Sequence, residues 1–242
     1  MTSPATARRL WALGEPLHAL LYFAEECLGA GERAGLTGFW QTYFALRAAP
    51  LGPVGPAVVT ATFYNFAPGF VARRVPAVWE AVTPAAALEA RLSGADAAMR
   101  RVLGEGSIAS AEVAEAARLA AVAAEAVDLP GRPLAAASTC AAGRSSREWL
   151  QKARGWDDEA WDAAADDLAG RGWLAEDGLS PEGLTMVAAT EADTDRLALG
   201  PWRALGDAGC DRLAELLAPL RRAVAAAGEW PAGNPIGAPE PD

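Results

Sequence analysis

Apolar residues recur every three or four positions near the start of the chain. Leu10, Leu13, Leu17, Leu21, Ala24 and Leu28 form one stripe, which predicts an amphipathic helix over about residues 6–28. Pro16 lies inside that stripe; its ring removes a backbone N–H, so a kink is expected there. After Gly29-Ala30-Gly31 a second helix is predicted over about 36–48, carrying Phe39, Trp40, Tyr43, Phe44 and Arg47. Gly52-Pro53-Val54-Gly55-Pro56 reads as a turn, and Pro56 opens a helix through Phe66 that Pro68 interrupts. A short helix over about 75–82 follows, then a long one over 84–103 with Thr83 as its cap. Beyond the break at 104–107, Ser110 caps an Ala-rich helix to about residue 128. Residues 130–144, rich in Ala, Pro, Gly and Ser, read as a linker.

The pattern changes after that linker. Ser145-Ser146-Arg147-Glu148 is a capping box, and the helix it opens stops at Gly155. Asp157 caps the next helix, whose inward side is Trp161, Ala165 and Leu168, and Gly170 and Gly172 close it. Trp173-Leu174-Ala175 and Leu179 flank Asp177-Gly178, a dipeptide favoured in tight hairpins, so a two-stranded wing is predicted. Ser180-Pro181 then starts a helix to about 199, Gly200-Pro201 breaks it, and a last helix spans about 207–227. Helix, helix, wing, helix is the order of a winged helix-turn-helix. The expected fold is therefore mainly α, a helical N-terminal region packed on a winged helix-turn-helix-like unit with a small two-stranded β-wing. The expected division is a helical domain (1–129), a linker (130–144), a winged-helix-like domain (145–227) and a disordered tail (228–242).

Charge alters what such a unit is expected to do. Residues 157–195 hold twelve acids and one base, Arg171, and the would-be recognition helix with its cap carries six acids and no base. Lys and Arg supply nearly all non-specific affinity for phosphates, so DNA is an unfavourable partner for this surface. The asymmetry extends further: residues 1–104 sum to +2, leaving −12 of the total −10 in residues 105–242. Cys27, Cys140 and Cys210 are far apart and odd in number, and one histidine accompanies them. That spacing argues for free thiols in a reducing cytoplasm and against a Zn or Fe–S site, so neither metal nor cofactor is expected. No apolar run reaches the roughly 18 residues of a membrane span. A homodimer is compatible with this organisation.

Candidate chemistry lies on the first helix. Trp11, Glu15, His18 and Tyr22 fall at i, i+4, i+7 and i+11, a second face beside the apolar stripe. Packed against the following helices, they are expected to line an inter-helical site with Trp40, Tyr43, Arg47, Tyr64, Asn65 and Phe66. Aromatic walls with a few convergent polar groups suit a flat hydrophobic or aromatic metabolite. An enzymatic alternative uses His18 as general base, oriented by Glu15, with Tyr64 or Tyr22 as proton donor. The plainer reading of the same residues is aromatic core with a satisfied boundary histidine. Neither a Gly-rich nucleotide loop nor a GxSxG elbow is present.

Several segments carry a resemblance: Arg9-Leu10-Trp11, Glu15-Pro16-Leu17-His18-Ala19, Tyr22-Phe23, Phe39-Trp40, Tyr43-Phe44, Arg47-Ala48-Ala49-Pro50-Leu51-Gly52 and Thr60 to Pro68. Arg154-Gly155-Trp156, Gly172-Trp173-Leu174, Thr194-Asp195-Arg196-Leu197-Ala198 and Pro201-Trp202 add to it in the second half. Together these resemble an actinobacterial family of about this size, labelled winged-helix, helix-turn-helix or MarR-like. The resemblance implies a winged-helix fold and, through the family's labels, a transcriptional regulator. Members of that family carry a longer middle with a helical segment before the winged unit; residues 130–144 are short by comparison. Loss of ligand-contacting groups there would leave a binder, a subunit or an altered chemistry.

Overall fold

The computed structural model describes residues 2–63, 65–126, 147–176 and 178–229. The predicted linker, the Ser145 half of the capping box, Cys140, Tyr64, Asp177 and residues 230–242 lie outside the described residues. Helix α1 spans Pro4–Phe23, with Ser3 as N-cap, and runs through the buried Pro16 without interruption. The predicted single helix to Leu28 is in fact two: Ala24 takes an extended conformation (ψ 138°) and α2 spans Glu25–Arg33. Helix α3 is Gly38–Ala48, followed by a 3-10 turn at Ala49–Leu51 and α4 at Pro56–Phe63. Pro68 does not interrupt a helix. It opens a new one, α5 (Pro68–Ala72), because a first-turn position has no N–H to lose. Then come α6 (Val75–Ala81), α7 (Pro84–Leu103, capped by Thr83), α8 (Glu105–Ile108) and α9 (Ala111–Glu125, capped by Ser110).

The winged unit follows the predicted order. Helix α10 spans Arg147–Arg154, α11 spans Asp158–Gly170, and Asp157 caps α11 by accepting from the Ala160 N–H at 2.9 Å. Strands β1 (Leu174–Ala175) and β2 (Gly178–Leu179) pair antiparallel, Leu174 opposite Leu179. Helix α12 spans Pro181–Leu197. Its cap, Ser180, is buried; the hydroxyl accepts from the Gly183 N–H and donates to the Gly172 carbonyl, tying helix to wing. Ser180→Ala strands both groups, and a loss of about 1–2 kcal/mol is expected in urea unfolding. The predicted break near Gly200-Pro201 falls at Ala198, where α12 ends; α13 (Leu199–Ala226) follows and is interrupted at Gly206 (φ 73°, ψ 167°), just before the predicted start of the last helix.

Three apolar clusters hold these elements. Leu10 of α1 meets Ala116 and Leu119 of α9 and Leu213, Ala214 and Leu216 of α13, so the last helix packs on the first. Leu20, Cys27, Leu46, Ala90, Ala98 and Val224 form a second cluster, in which α2 and α7 cross closely. A Cβ on Gly94 would sit 2.7 Å from the Cys27 backbone, so only glycine permits that approach. The third cluster is aromatic: Tyr22, Tyr43, Phe44, Phe63, Phe66 and Phe70, with Val59, Val71, Val75 and Val78. Cys27 and Cys210 are both free and buried. At the C-terminal side, Glu229 reaches Arg101 at 2.6 Å, so the start of the expected tail is anchored.

The winged unit docks on this aromatic cluster. The Ala67 N–H donates to the Arg154 carbonyl at 3.0 Å, and the Trp156 indole N–H donates to the Asn65 carbonyl at 3.1 Å. The buried Arg154 guanidinium stacks 4.7 Å from the Phe66 ring centre. Gly155 then turns the chain with φ +78°, directly against Phe70.

Candidate functional site

The second face of α1 does converge on α3 and α7. His18 Nε2 lies 2.8 Å from the Tyr22 hydroxyl, one turn along, with the two rings edge to face. Tyr22 is buried, and its ring centre is 5.3 Å from that of Tyr43 on α3. Arg47, one turn beyond Tyr43, donates to the Tyr43 hydroxyl and lays its guanidinium 4.3 Å over Phe63 of α4. The Tyr22 and Tyr43 ring centres are also within reach, at 5.6 and 5.5 Å. From α7, Arg91 donates to the Leu46 carbonyl at 3.1 Å, beside Arg47 in the chain. Trp11 lies one turn before Glu15 on the same face and favours its ionised form.

Protonation states in this group are set by lost hydration and by the two arginines. Burial pushes the Glu15 carboxyl up to about 7; the Arg47 charge and Trp11 oppose this without overcoming it. His18 is lowered to about 4, first by desolvation of the imidazolium and then by the charges of Arg91 and Arg47. The residue as a whole is exposed, so water reaches it despite the hydrogen bond to Tyr22. Burial likewise pushes the Tyr22 phenol up. At neutral pH the site thus holds a neutral imidazole, a neutral phenol, a carboxyl near its midpoint and two guanidinium charges. The expected Glu15–His18 hydrogen bond, with its gain in basicity, is replaced by His18–Tyr22 and a less basic ring.

The predicted site residues fall into two groups. Trp11, Glu15, His18, Tyr22, Tyr43 and Arg47 come together as described. Trp40 lies on the other side of Tyr43, half-buried and edge-on to Phe70, lining an open hollow of about 350 Å³ with Thr37, Gln41, Arg73 and Arg74. Phe66 is 1% exposed inside the aromatic core, and Asn65 serves the junction with α10. The Asn65 side chain, with its amide oriented to satisfy both ends, donates to the Phe63 carbonyl and accepts from Arg154. A second open hollow of about 500 Å³ lies between α9 and α13, remote from His18. Arg91 and Phe63 were not among the predicted contacts. A signal for Arg91 existed: it borders the small-residue stripe Ala87, Ala90, Gly94 and Ala98 that faces the core.

On the winged unit, α11 buries no residue fully; Trp161, Ala165 and Leu168 are half-buried, and Asp158, Glu159, Asp162, Asp166 and Asp167 are exposed. Arg147 pairs with Asp158 and Asp162 at 2.8 and 2.7 Å, and Arg171 pairs with Asp167. Two bases that could otherwise meet phosphates are thereby engaged. Among the described residues, no cluster of three or more His, Cys, Asp or Glu is arranged to hold a metal ion, and no helix is long and apolar enough to cross a membrane. The model of a helix-turn-helix family matches residues 7–142 and 138–231. No curated protein and no solved structure matches the chain.

Proposed function

The chain belongs to the helix-turn-helix family, and from that premise we propose that it binds a small hydrophobic or aromatic metabolite rather than DNA. The observation that carries this reading is the Arg47 guanidinium. It lies over Phe63, next to Tyr22 and Tyr43, on the face where His18 is hydrogen-bonded to Tyr22. Flat rings beside a few fixed polar groups are what recognition of a conjugated ligand requires. His18, exposed and neutral, supplies an acceptor or donor to such a ligand. The acidic face of α11, with Arg147 and Arg171 tied to its own carboxylates, disfavours phosphate contact.

The test is native mass spectrometry of the purified protein after incubation with a metabolite extract of its host. A retained adduct of unchanged ligand mass is expected, weakened about tenfold in His18→Ala, since a lost hydrogen bond to the ligand costs on the order of one decade in affinity. An adduct indifferent to His18→Ala would end the assignment of the site. Conversion of a metabolite to a new mass would instead favour acid–base catalysis by Glu15, His18 and Tyr22.

Family membership favours a second reading, a DNA-binding regulator of MarR-like type. Fluorescence anisotropy with duplex DNA separates the two. The binder reading expects no association at about 50 mM salt; binding whose affinity falls steeply with added salt would establish the regulator.

A further inference from the structure

We propose that the open hollow between α3 and the corner joining α5 to α6 is a second binding site, for a small molecule that carries a phosphate or another compact oxyanion on a flat ring. Arg73 and Arg74 take the oxyanion, and Trp40 takes the ring. The hollow lies across Tyr43 from His18 and stands apart from the ligand-binding reading above.

The hollow has a volume of about 350 Å³, near the lower end of the roughly 300–1,000 Å³ typical of small-molecule sites. Two elements wall it: Thr37, Phe39, Trp40 and Gln41 at the start of α3, and Arg73 and Arg74 at the α5–α6 corner. Gln41 ties one wall to the other. Its side-chain oxygen accepts from the Thr37 N–H and hydroxyl at 2.6 and 2.8 Å, and its amide donates to the Ala77 carbonyl of α6 at 3.3 Å. The corner is fixed as well. The Arg73 N–H donates to the Gly69 carbonyl at 3.3 Å and the Arg74 N–H to the Val71 carbonyl at 2.9 Å, while Val71 and Val75 are buried on either side. The Arg74 guanidinium lies 3.5 Å from the Phe70 ring centre, donates to the Phe70 carbonyl at 3.0 Å, and is 5.9 Å from the Trp40 ring centre. Stacked and held by one N–H, it is ordered before any ligand arrives and keeps most of its donors.

Charge selects the ligand. The chain has 31 acids against 21 bases, yet no carboxylate is among the residues that line this hollow. The hollow between α9 and α13 shows the opposite arrangement: Glu112 and Glu215 line it, and its Arg212 is paired with Glu115 and Glu215. Arg73 and Arg74 are neighbours in the chain, and burial followed by the Arg73 charge disfavours the Arg74 cation. An oxyanion between the two guanidinium groups relieves that repulsion and accepts charge-assisted hydrogen bonds from both. Trp40 is half-buried and edge-on to Phe70 at 5.0 Å, so the core holds it while it lines the hollow. A flat ring seated beside the indole gains apolar and aromatic contact that an inorganic ion cannot make.

The experiment titrates three probes into the full-length protein by calorimetry at pH 7.5: 1-naphthyl phosphate, neutral 1-naphthol and inorganic phosphate. The naphthyl phosphate is expected to bind at least about tenfold more tightly than either of the others, the size of one charge-assisted hydrogen bond. Arg73→Gln and Arg74→Gln should each weaken it by about the same factor. Arg118→Gln removes the same charge from an exposed position on α9, outside the hollow, and should change the affinity by less than about twofold because salt screens distant charges. Arg73 is exposed, so Arg73→Gln keeps the test intact should Arg74→Gln disturb the packing on Phe70. Equal affinity for naphthyl phosphate and naphthol overturns the anion assignment, and equal affinity for naphthyl and inorganic phosphate overturns the ring contact. A loss in Arg118→Gln as large as in Arg73→Gln overturns the site in favour of diffuse attraction. Duplex DNA that binds the wild type and not Arg73→Gln, with no binding of naphthyl phosphate, overturns the small-molecule occupant and makes the hollow a backbone-phosphate contact. Absence of naphthyl phosphate binding up to millimolar concentration overturns the proposal outright.

Discussion

Gly155→Ala is expected to destabilise the protein by about 2–5 kcal/mol. Two separate costs add. The backbone at Gly155 has φ +78°, a left-handed conformation that costs an L-residue about 1–2 kcal/mol. A Cβ there would also lie 2.3 Å from Cδ2 of Phe70 and 2.5 Å from its Cβ, so the ring or the chain must move, and overpacking of this kind costs about 1–3 kcal/mol. Phe70 has little room to yield: it is 6% exposed and packed on Trp40, Phe44 and Phe66. Urea unfolding of the single variant measures the sum. A double-mutant cycle with Phe70→Leu separates the parts, because a smaller side chain should restore most of the steric share and none of the backbone share. If Gly155→Ala costs the same in both backgrounds, the close approach contributes nothing and the conformational share stands alone. Because Gly155 sits where the winged unit meets the aromatic cluster, the same variant should weaken ligand capture indirectly, by loosening Phe63 and Phe66.

Glu15→Gln should make the protein more stable above pH 7 and change its stability little below pH 4.5. The carboxyl titrates near 7 in the folded chain against an ordinary value of 4.5. Below 4.5 both states carry the proton. Between 4.5 and 7 the unfolded chain releases it and the folded chain retains it, so wild-type stability is lost as pH rises through that window. At pH 8 the accumulated cost is about 3 kcal/mol at most, at roughly 1.4 kcal/mol for each unit of displacement. Glutamine keeps the size without the charge, so it should recover much of that cost. His18 acts with the opposite sign. Its ring is lowered from 6.5 to about 4, so stability is lost as pH falls through that interval, when the unfolded chain takes up a proton that the folded chain refuses. Over the shared range of about 4.5 to 6.5 the two slopes offset one another in the wild-type protein. Glu15→Gln should therefore uncover a rise in stability from pH 4 to 6.5, and His18→Gln a decline from pH 4.5 to 7. Urea midpoints of the three proteins at pH 5, 6, 7 and 8 check both slopes. A Glu15→Gln variant with no stability advantage over wild type at pH 8 would show that Glu15 is hydrated and ionised in the folded protein.

Much of this architecture is local in origin, and local chemistry is written in the chain. Caps are one instance: Thr83, Ser110, Asp157 and Ser180 each begin a helix because a short side-chain oxygen accepts from the N–H three residues on. Gly155 ends α10 because it has no Cβ to oppose a positive φ, and Leu174, Ala175, Gly178 and Leu179 form the wing, with Gly178 of the predicted turn paired opposite Ala175. The stripe Trp11, Glu15, His18 and Tyr22 was legible for the same reason, since helical spacing alone puts these residues on one face. Where competing local signals met, packing decided. Ala24 breaks the first helix although nothing in its chemistry requires it, because α2 must turn to cross α7 at Gly94. Pro201 lies in the first turn of α13, where its missing N–H costs little, and Leu199 and Trp202 on either side of it turn toward the core.

The candidate site divides along the same line. Its residues on α1 and α3 follow from periodicity, but the partners they meet come from distant parts of the chain. Phe66 and Asn65 look like ligand contacts in the sequence, being aromatic and polar beside Tyr64. The docking of α10 claims them instead, with Arg154 over Phe66 and Trp156 bonded to Asn65 across some ninety residues. Arg91 enters from α7 for a reason no window of sequence contains: the face of α7 that buries Ala87, Ala90 and Ala98 carries the arginine at its edge. Charge states were the least accessible of all. Glu15 and His18 have ordinary side chains with ordinary intrinsic acidities, and only burial in the folded chain raises the first and lowers the second, with Arg47 opposing the first shift and both arginines adding to the second. The sequence by itself determined the helices, their caps, the wing and one polar face. Which faces meet, and therefore which groups share an environment, is a property of long-range packing, because burial and field depend on neighbours that the chain brings together only when folded.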